Sequence, residues 1–207
     1  MSVFLCPSAV FNSWSRQVYL FKDASGEGST VTPTPTDISG SFFMGNYGAS
    51  MAVDNDDGSA YYDIHDSVAY GGGHKSNFGG HDKRTYNELG IYARVYGPTC
   101  FRISDTSGPA HPESYFNNTC IIDPTVTGFN VYDLRIELDS KNATNNGFRA
   151  SSNTIYAPGG ADASTRIGTE MKVGDWLKLG LEKGTTISGQ TPSNAEIEAM
   201  ARTKLGL

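Results

Sequence analysis

Short alternations of apolar and polar residues recur along the middle of the chain, and a small or polar residue opens each of them. Five segments share this pattern, at residues 38–43, 64–70, 86–92, 116–122 and 151–156. A period of two is typical of strands that bury one face. With 24 glycines among 207 residues, the chain also has the turn residues that many short strands require. We therefore predict an all-β fold.

One polar position recurs in these segments. Ser41, Ser67, Glu88, Asn118 and Asn153 are separated by 26, 21, 30 and 35 residues. Spacings of roughly 20–35 residues are those of solenoids whose coils differ by loop insertions. One coil cannot bury its own inner face, whereas coils stacked in parallel can, and stacked polar side chains then hydrogen-bond from coil to coil. The spacing predicts a solenoid, and an antiparallel sandwich of irregular strands stays open as the alternative.

The tail changes to helical spacing. Ser193 and Glu196 form the sequence pattern of a capping box, apolar residues follow at helical intervals, and Gly206 is a stop signal. A shorter helix is predicted within residues 171–180, around Trp176. Since solenoids need covered ends, we expect the tail to cap the last coil. The predicted organisation is β-solenoid coils over residues 1–160 and a helical C-terminal cap over residues 161–207.

Composition narrows the classes of function. The net charge is −6 and the pI is near 5.1, and there is no Lys/Arg cluster, so we expect no nucleic-acid partner. The longest apolar runs are a few residues, so we expect no membrane insertion. The three cysteines lack the paired spacing of zinc sites, and we expect neither a metal nor a cofactor. Cys100 and Cys120 could pair in an oxidising compartment.

Several runs of the sequence form an ordered set of motifs. They read FNSWSR at residues 11–16, NYGAS at 46–50, DNDDGS at 54–59, GGGHKS at 71–76 and FGGHD at 78–82, followed by NNT at 117–119 and NTIYAP at 153–158. This set resembles a family of right-handed parallel β-helix proteins related to glycoside hydrolases. The resemblance implies a right-handed parallel β-helix with a C-terminal capping α-helix. It also implies a polysaccharide or other glycan as partner and an extracellular or cell-surface location, although the N-terminus shows no signal peptide.

Members of that family carry many coils before the motif at residues 11–16, whereas ten residues precede it here. We therefore expect a further N-terminal β-helix segment, or a protein partner in an assembly, to complete any groove.

Counting along the predicted coils places polar residues in one column. Asp57 and His81 are 24 residues apart, close to one coil. The candidate catalytic residues in and beside this column are Asp56, Asp57, Lys75, His81 and Asp82. The candidate substrate-binding residues are Asn12, Trp14, Arg16, Tyr47 and His74.

Such a column suits glycoside hydrolysis, in which one carboxyl group acts as acid, a second acts as base or nucleophile, and an aromatic ring stacks on the sugar. Asp57 is favoured over Asp56 because Gly58 follows it. In a lyase, Lys75 or His81 would instead abstract a proton from a uronic acid. A non-catalytic glycan-binding or structural module of an extracellular assembly is the third hypothesis. His65 is interpreted as structural and His111 is assigned no role.

Overall fold

A computed structural model describes residues 35–44, 52–55, 59–76, 81–94, 97–104, 111–135 and 147–207. Its strands, numbered along the chain, form three sheets, and each sheet takes every third strand until the last repeat. Sheet 1 consists, in spatial order, of β1 (Thr36–Ser39), β4 (Tyr62–His65), β7 (Arg84–Tyr86), β10 (Glu113–Phe116) and β13 (Phe148–Ser151). Sheet 2 consists of β17 (Thr186–Ser188), β14 (Thr154–Tyr156), β11 (Thr119–Ile121), β8 (Leu89–Ile91), β5 (Val68–Tyr70) and β2 (Phe42–Met44). Sheet 3 consists of β16 (Thr169–Lys172), β15 (Ser164–Ile167), β12 (Tyr132–Leu134), β9 (Phe101–Ile103), β6 (His74–Ser76) and β3 (Val53–Asn55).

Parallel pairing dominates these sheets. Among the named strands, only β15 and β16 pair antiparallel. The prediction of a mostly β chain with parallel strands is therefore confirmed, and the described strands do not form the antiparallel sandwich.

Each of the five repeated segments contains the bend from a strand of sheet 1 to the next strand of sheet 2. The backbone at this bend is left-handed every time, with φ between 52° and 60° at Gly40, Asp66, Asn87, Asn117 and Ser152. Glycine adopts this conformation freely, and Asn and Asp tolerate it better than other residues do. The repeated pattern in the sequence is therefore the pattern of one corner of the fold.

The residue after each bend belongs to the predicted polar row, which is confirmed as a continuous hydrogen-bonded ladder. The side-chain oxygen of each member accepts the backbone N–H of the member before it: Ser41 to Ser67 (3.1 Å), Ser67 to Glu88 (2.8 Å), Glu88 to Asn118 (2.9 Å) and Asn118 to Asn153 (2.9 Å). Glu88, Asn118 and Asn153 are almost fully buried. The ladder satisfies buried N–H groups that the bends remove from the sheets.

The main core lies between the three sheets. Its buried aromatic members are Phe101, Tyr115, Tyr132, Phe148 and Trp176. A disulfide joins Cys100, just before β9 of sheet 3, to Cys120 in β11 of sheet 2. Both cysteines are 2% exposed or less, so the bond crosses the interior and ties two sheets together.

Two α-helices lie in the C-terminal part of the chain. Helix α1 (Val173–Lys178) follows β16 and buries Val173 and Trp176 in the main core. It is shorter than the helix predicted within residues 171–180, because β16 takes the first part of that segment. Strands β15 and β17 also lie beyond residue 160, so two sheets continue into the segment for which a helical tail was predicted.

Helix α2 (Asn194–Leu205) begins with the predicted capping box of Ser193 and Glu196 and ends at Gly206 in left-handed conformation. Its packing corrects the expected cap on the last coil. Ile197 and its apolar neighbours pack on the outward side chains of sheet 2, which include Leu89 and Ile91. The helix therefore covers the outer face of a sheet and does not close an end. Neither helix in the described ranges has the length and apolar character needed to cross a membrane.

Candidate functional site

The structure places two of the predicted site residues, His74 and Lys75, on opposite faces of β6. His74 points inward, and its Nε2 lies 3.3 Å from the ladder carboxylate of Glu88. Lys75 points outward and is only 2% exposed, with its Nζ 2.8 Å from Asp54 Oδ1. His74 was predicted to contact a substrate, and a side chain that faces the core and is 4% exposed disfavours that role. Lys75 is held in a buried ion pair, which favours a framework role over proton abstraction.

His81 and Asp82 lie beyond sheet 3, at the start of the segment that enters β7. Asp82 has left-handed backbone (φ 52°). Its Oδ2 lies 2.7 Å from His81 Nδ1 and 2.8 Å from Nδ1 of His111, one repeat further along. The rings of Tyr61 and His81 pack edge to face, with centroids 5.0 Å apart. Burial, together with the charge of Asp82, raises the pKa of Tyr61. The side chains of His81, Asp82 and His111 are partly exposed to solvent.

His111 belongs to this cluster, although no role was predicted for it. The signal was present, since His81 and His111 are 30 residues apart, the same spacing as between Glu88 and Asn118. Strands β7 and β10 pair in this register, with Ser114 opposite Arg84. Applying the local repeat length to each polar residue would have placed the two histidines next to each other.

Sheet 1 carries a row of stacked rings on its outer face. His65, Tyr86 and Phe116 are register neighbours, with centroids 4.7 Å and 5.0 Å apart and nearly parallel planes. Burial opposes protonation of His65, but its hydrogen bonds with Asp66 and Asp37 outweigh burial and raise its pKa. Because the rings cover each other's faces, they offer a sugar little flat surface, and the row is better suited to stabilising the sheet.

A cleft of about 490 Å³ opens between the first turns of α2 and the neighbouring ends of β14 and β17. Its lining combines one aromatic ring with hydroxyl, amide and carboxylate groups: Tyr156, Ser188, Gln190, Thr191, Pro192, Glu196, Ala199 and Met200. None of these residues was predicted as functional. The pairing of β14 with β17 places Tyr156 opposite Ser188, and the packing of α2 on sheet 2 brings Glu196, Ala199 and Met200 to them.

The carboxylate of Glu196 is fixed at the edge of this cleft. Its Oε2 accepts hydrogen bonds from the Ser193 hydroxyl (2.7 Å) and the Ser193 backbone N–H (2.8 Å). These bonds hold the pKa of Glu196 below its ordinary value, so the group is an anion at neutral pH. The cleft can therefore accept hydrogen bonds from hydroxyl groups, and it disfavours anionic ligands.

Six predicted site residues lie outside the described residues: Asn12, Trp14, Arg16, Tyr47, Asp56 and Asp57. Their predicted roles stay predictions. Comparison of the chain with protein-family models, with curated proteins and with solved structures found no match. The assignment of a function therefore depends on the geometry of the described residues.

Proposed function

We propose that the chain is a right-handed parallel β-helix module that binds a neutral glycan and does not cleave it. The cleft between α2 and sheet 2 is the observation that carries this proposal, because it places one aromatic ring beside several hydrogen-bonding groups. Sugar rings present apolar C–H faces and hydroxyl edges, which such a lining matches.

The β-helix part of the proposal is supported by the order of the strands. Each repeat adds one strand to each sheet, and the polar ladder runs along one corner. Connections between parallel strands of one sheet are right-handed in nearly all proteins, which supports the handedness. The ordered motifs at residues 11–16 and 46–82 resemble the same family.

A neutral ligand is favoured by charge. The chain has a net charge of −6, and the cleft contains the fixed carboxylate of Glu196. A uronic acid polymer would be repelled by both. This argues against the lyase interpretation as well, because a lyase needs an anionic sugar.

The absence of cleavage is supported by the positions of two predicted site residues, the candidate catalytic residue Lys75 and the candidate substrate-binding residue His74. Lys75 is held by Asp54, and His74 faces the core beside Glu88. Both side chains are therefore occupied within the framework of the fold.

The hydrolase stays a second candidate because Asp82 is partly exposed. Its side chain is 29% accessible and touches His81, so it meets one requirement for an acid or base. The predicted candidates for the second carboxyl group of a hydrolase are Asp56 and Asp57.

A glycan array with the purified chain tests the proposal, followed by titration of the best neutral ligand. We expect Tyr156→Ala to weaken binding by about tenfold, as the loss of one stacking contact predicts. Gln190→Ala, at an exposed position, should weaken binding without disturbing the core.

Tyr70→Ala is the matched control. Tyr70 occupies the same register row of sheet 2 as Tyr156, three strands away, and is exposed. Its replacement should leave the affinity unchanged. Binding that survives in both cleft variants, or an array without any bound glycan, would overturn the proposal.

A further inference from the structure

We propose that His81, Asp82 and His111 form a binding site for a divalent transition-metal ion such as Zn²⁺. One ligand atom from each of the three side chains lies within 4.8 Å of the other two. This site is separate from the glycan cleft, and the inference does not depend on the proposed function.

The fold brings the three residues together from adjacent repeats. His81 forms a parallel bridge to Ala60 in the repeat before it, and the register of β7 with β10 places His111 beside it in the repeat after it. The left-handed backbone at Asp82 turns its carboxylate toward both rings, whose Nδ1 atoms lie 2.7 Å and 2.8 Å from Oδ2. Two imidazoles therefore converge on one carboxylate oxygen.

The donor set selects the kind of ion. Two imidazole nitrogens and one carboxylate oxygen suit Zn²⁺ and its neighbours in the transition series, whereas Ca²⁺ and Mg²⁺ prefer oxygen ligands throughout. Zn–N and Zn–O bonds are about 2.0–2.2 Å, so small side-chain rotations would bring all three atoms onto one ion. To bind the ion through Nδ1, each imidazole would have to be neutral and carry its proton on Nε2.

The surroundings of His65 show that histidine and aspartate side chains form a metal site only when their donor atoms point to one position. His65 also lies between two carboxylates, but Asp66 contacts its Nδ1 and Asp37 contacts its Nε2. The two ring nitrogens of His65 point in different directions. One ion therefore cannot bind His65 and both carboxylates at the same time. Histidine and aspartate are present around both His65 and Asp82. Of these two sets, the one around Asp82 has its donor atoms close enough together to bind one metal ion.

Calorimetric titration of the full-length chain, without a histidine tag, with ZnCl₂ is the direct test. We expect one Zn²⁺ per chain. His111→Ala should reduce the affinity by at least about tenfold, because even the loss of a supporting contact around a metal ligand costs that much. Asp82→Asn should weaken binding as well. Titration with Co²⁺ should give the absorption bands of a tetrahedral ion.

His65→Gln is the matched control, because it removes one histidine beside two carboxylates and should leave the affinity unchanged. His111 is 47% exposed, so His111→Ala should fold normally, which circular dichroism verifies. Failure of the wild-type chain to bind Zn²⁺ would overturn the inference. So would equal losses in His65→Gln and His111→Ala. Neither result bears on glycan binding, which occurs at a different surface.

Discussion

The polar ladder shows that a position can be constrained while its residue type varies. Ser67, Glu88, Asn118 and Asn153 differ in size and charge, yet each supplies one oxygen to the backbone N–H of the preceding repeat. Thr185 extends the row by one further step. The requirement at each step is an acceptor of suitable reach, which is why Glu88 can occupy a place that Asn takes in later repeats.

Asn118→Ala should lower the free energy of unfolding by about 2–4 kcal/mol. The change removes the acceptor for the Glu88 N–H and the donor to the Thr85 carbonyl, and it leaves buried polar groups unsatisfied. Urea denaturation followed by circular dichroism measures the effect. Asn194→Ala, at an exposed position in the first turn of α2, is the control and should change stability little. Equal stability of Asn118→Ala and wild type would show that the ladder contributes nothing.

Residue-level prediction could locate the ladder, but it could not give the direction of the side chains on β6. Ladder residues follow left-handed bends, which have a sequence signature in Gly, Asn and Asp. His74 and Lys75 lie on a three-residue strand, where a shift of one residue reverses the face. Coil spacings that vary from 21 to 35 residues could not distinguish an inward His74 from an outward Lys75.

At the scale of elements, the loops explain why the repeat is irregular. The ladder steps of 21 to 35 residues enclose the same three short strands, and the surplus lies in connections between them. The strands themselves were predictable as alternations, and α2 was predictable down to its caps. The place where α2 packs was not, because its apolar stripe fits an open end and the face of sheet 2 equally well.

Among the contacts between elements, we expect the disulfide to contribute most to the free energy of unfolding. Cys100→Ala combined with Cys120→Ala should lower the free energy of unfolding by about 3 kcal/mol, because a closed loop with a sequence separation of 20 restricts the unfolded chain. Denaturation of the oxidised proteins measures this difference. Cys6→Ala serves as the control and should have no such effect. Labelling that finds three free thiols in the native wild-type chain would contradict the bond.

At the scale of the whole molecule, the interior groups stabilise the fold and the surface groups are available for binding. The interior is occupied by the ladder, the aromatic core and buried ion pairs such as Lys83 with Glu113. Burial raises the pKa of Glu113, against the opposing effect of Lys83. These buried groups stabilise one arrangement of the chain, and they cannot contact a glycan at the surface. The cleft beside α2 is different, because it is open to solvent and its lining includes the polar side chains of Gln190, Thr191 and Glu196, which lie outside the strands.

Binding without turnover is tested most directly by incubating the full-length chain with its best neutral glycan and recovering that glycan for mass spectrometry. We expect calorimetry to show binding and the recovered glycan to keep its original mass after prolonged incubation. Shortened products that form with the wild-type chain and disappear with Asp82→Asn would contradict this and identify the chain as a hydrolase.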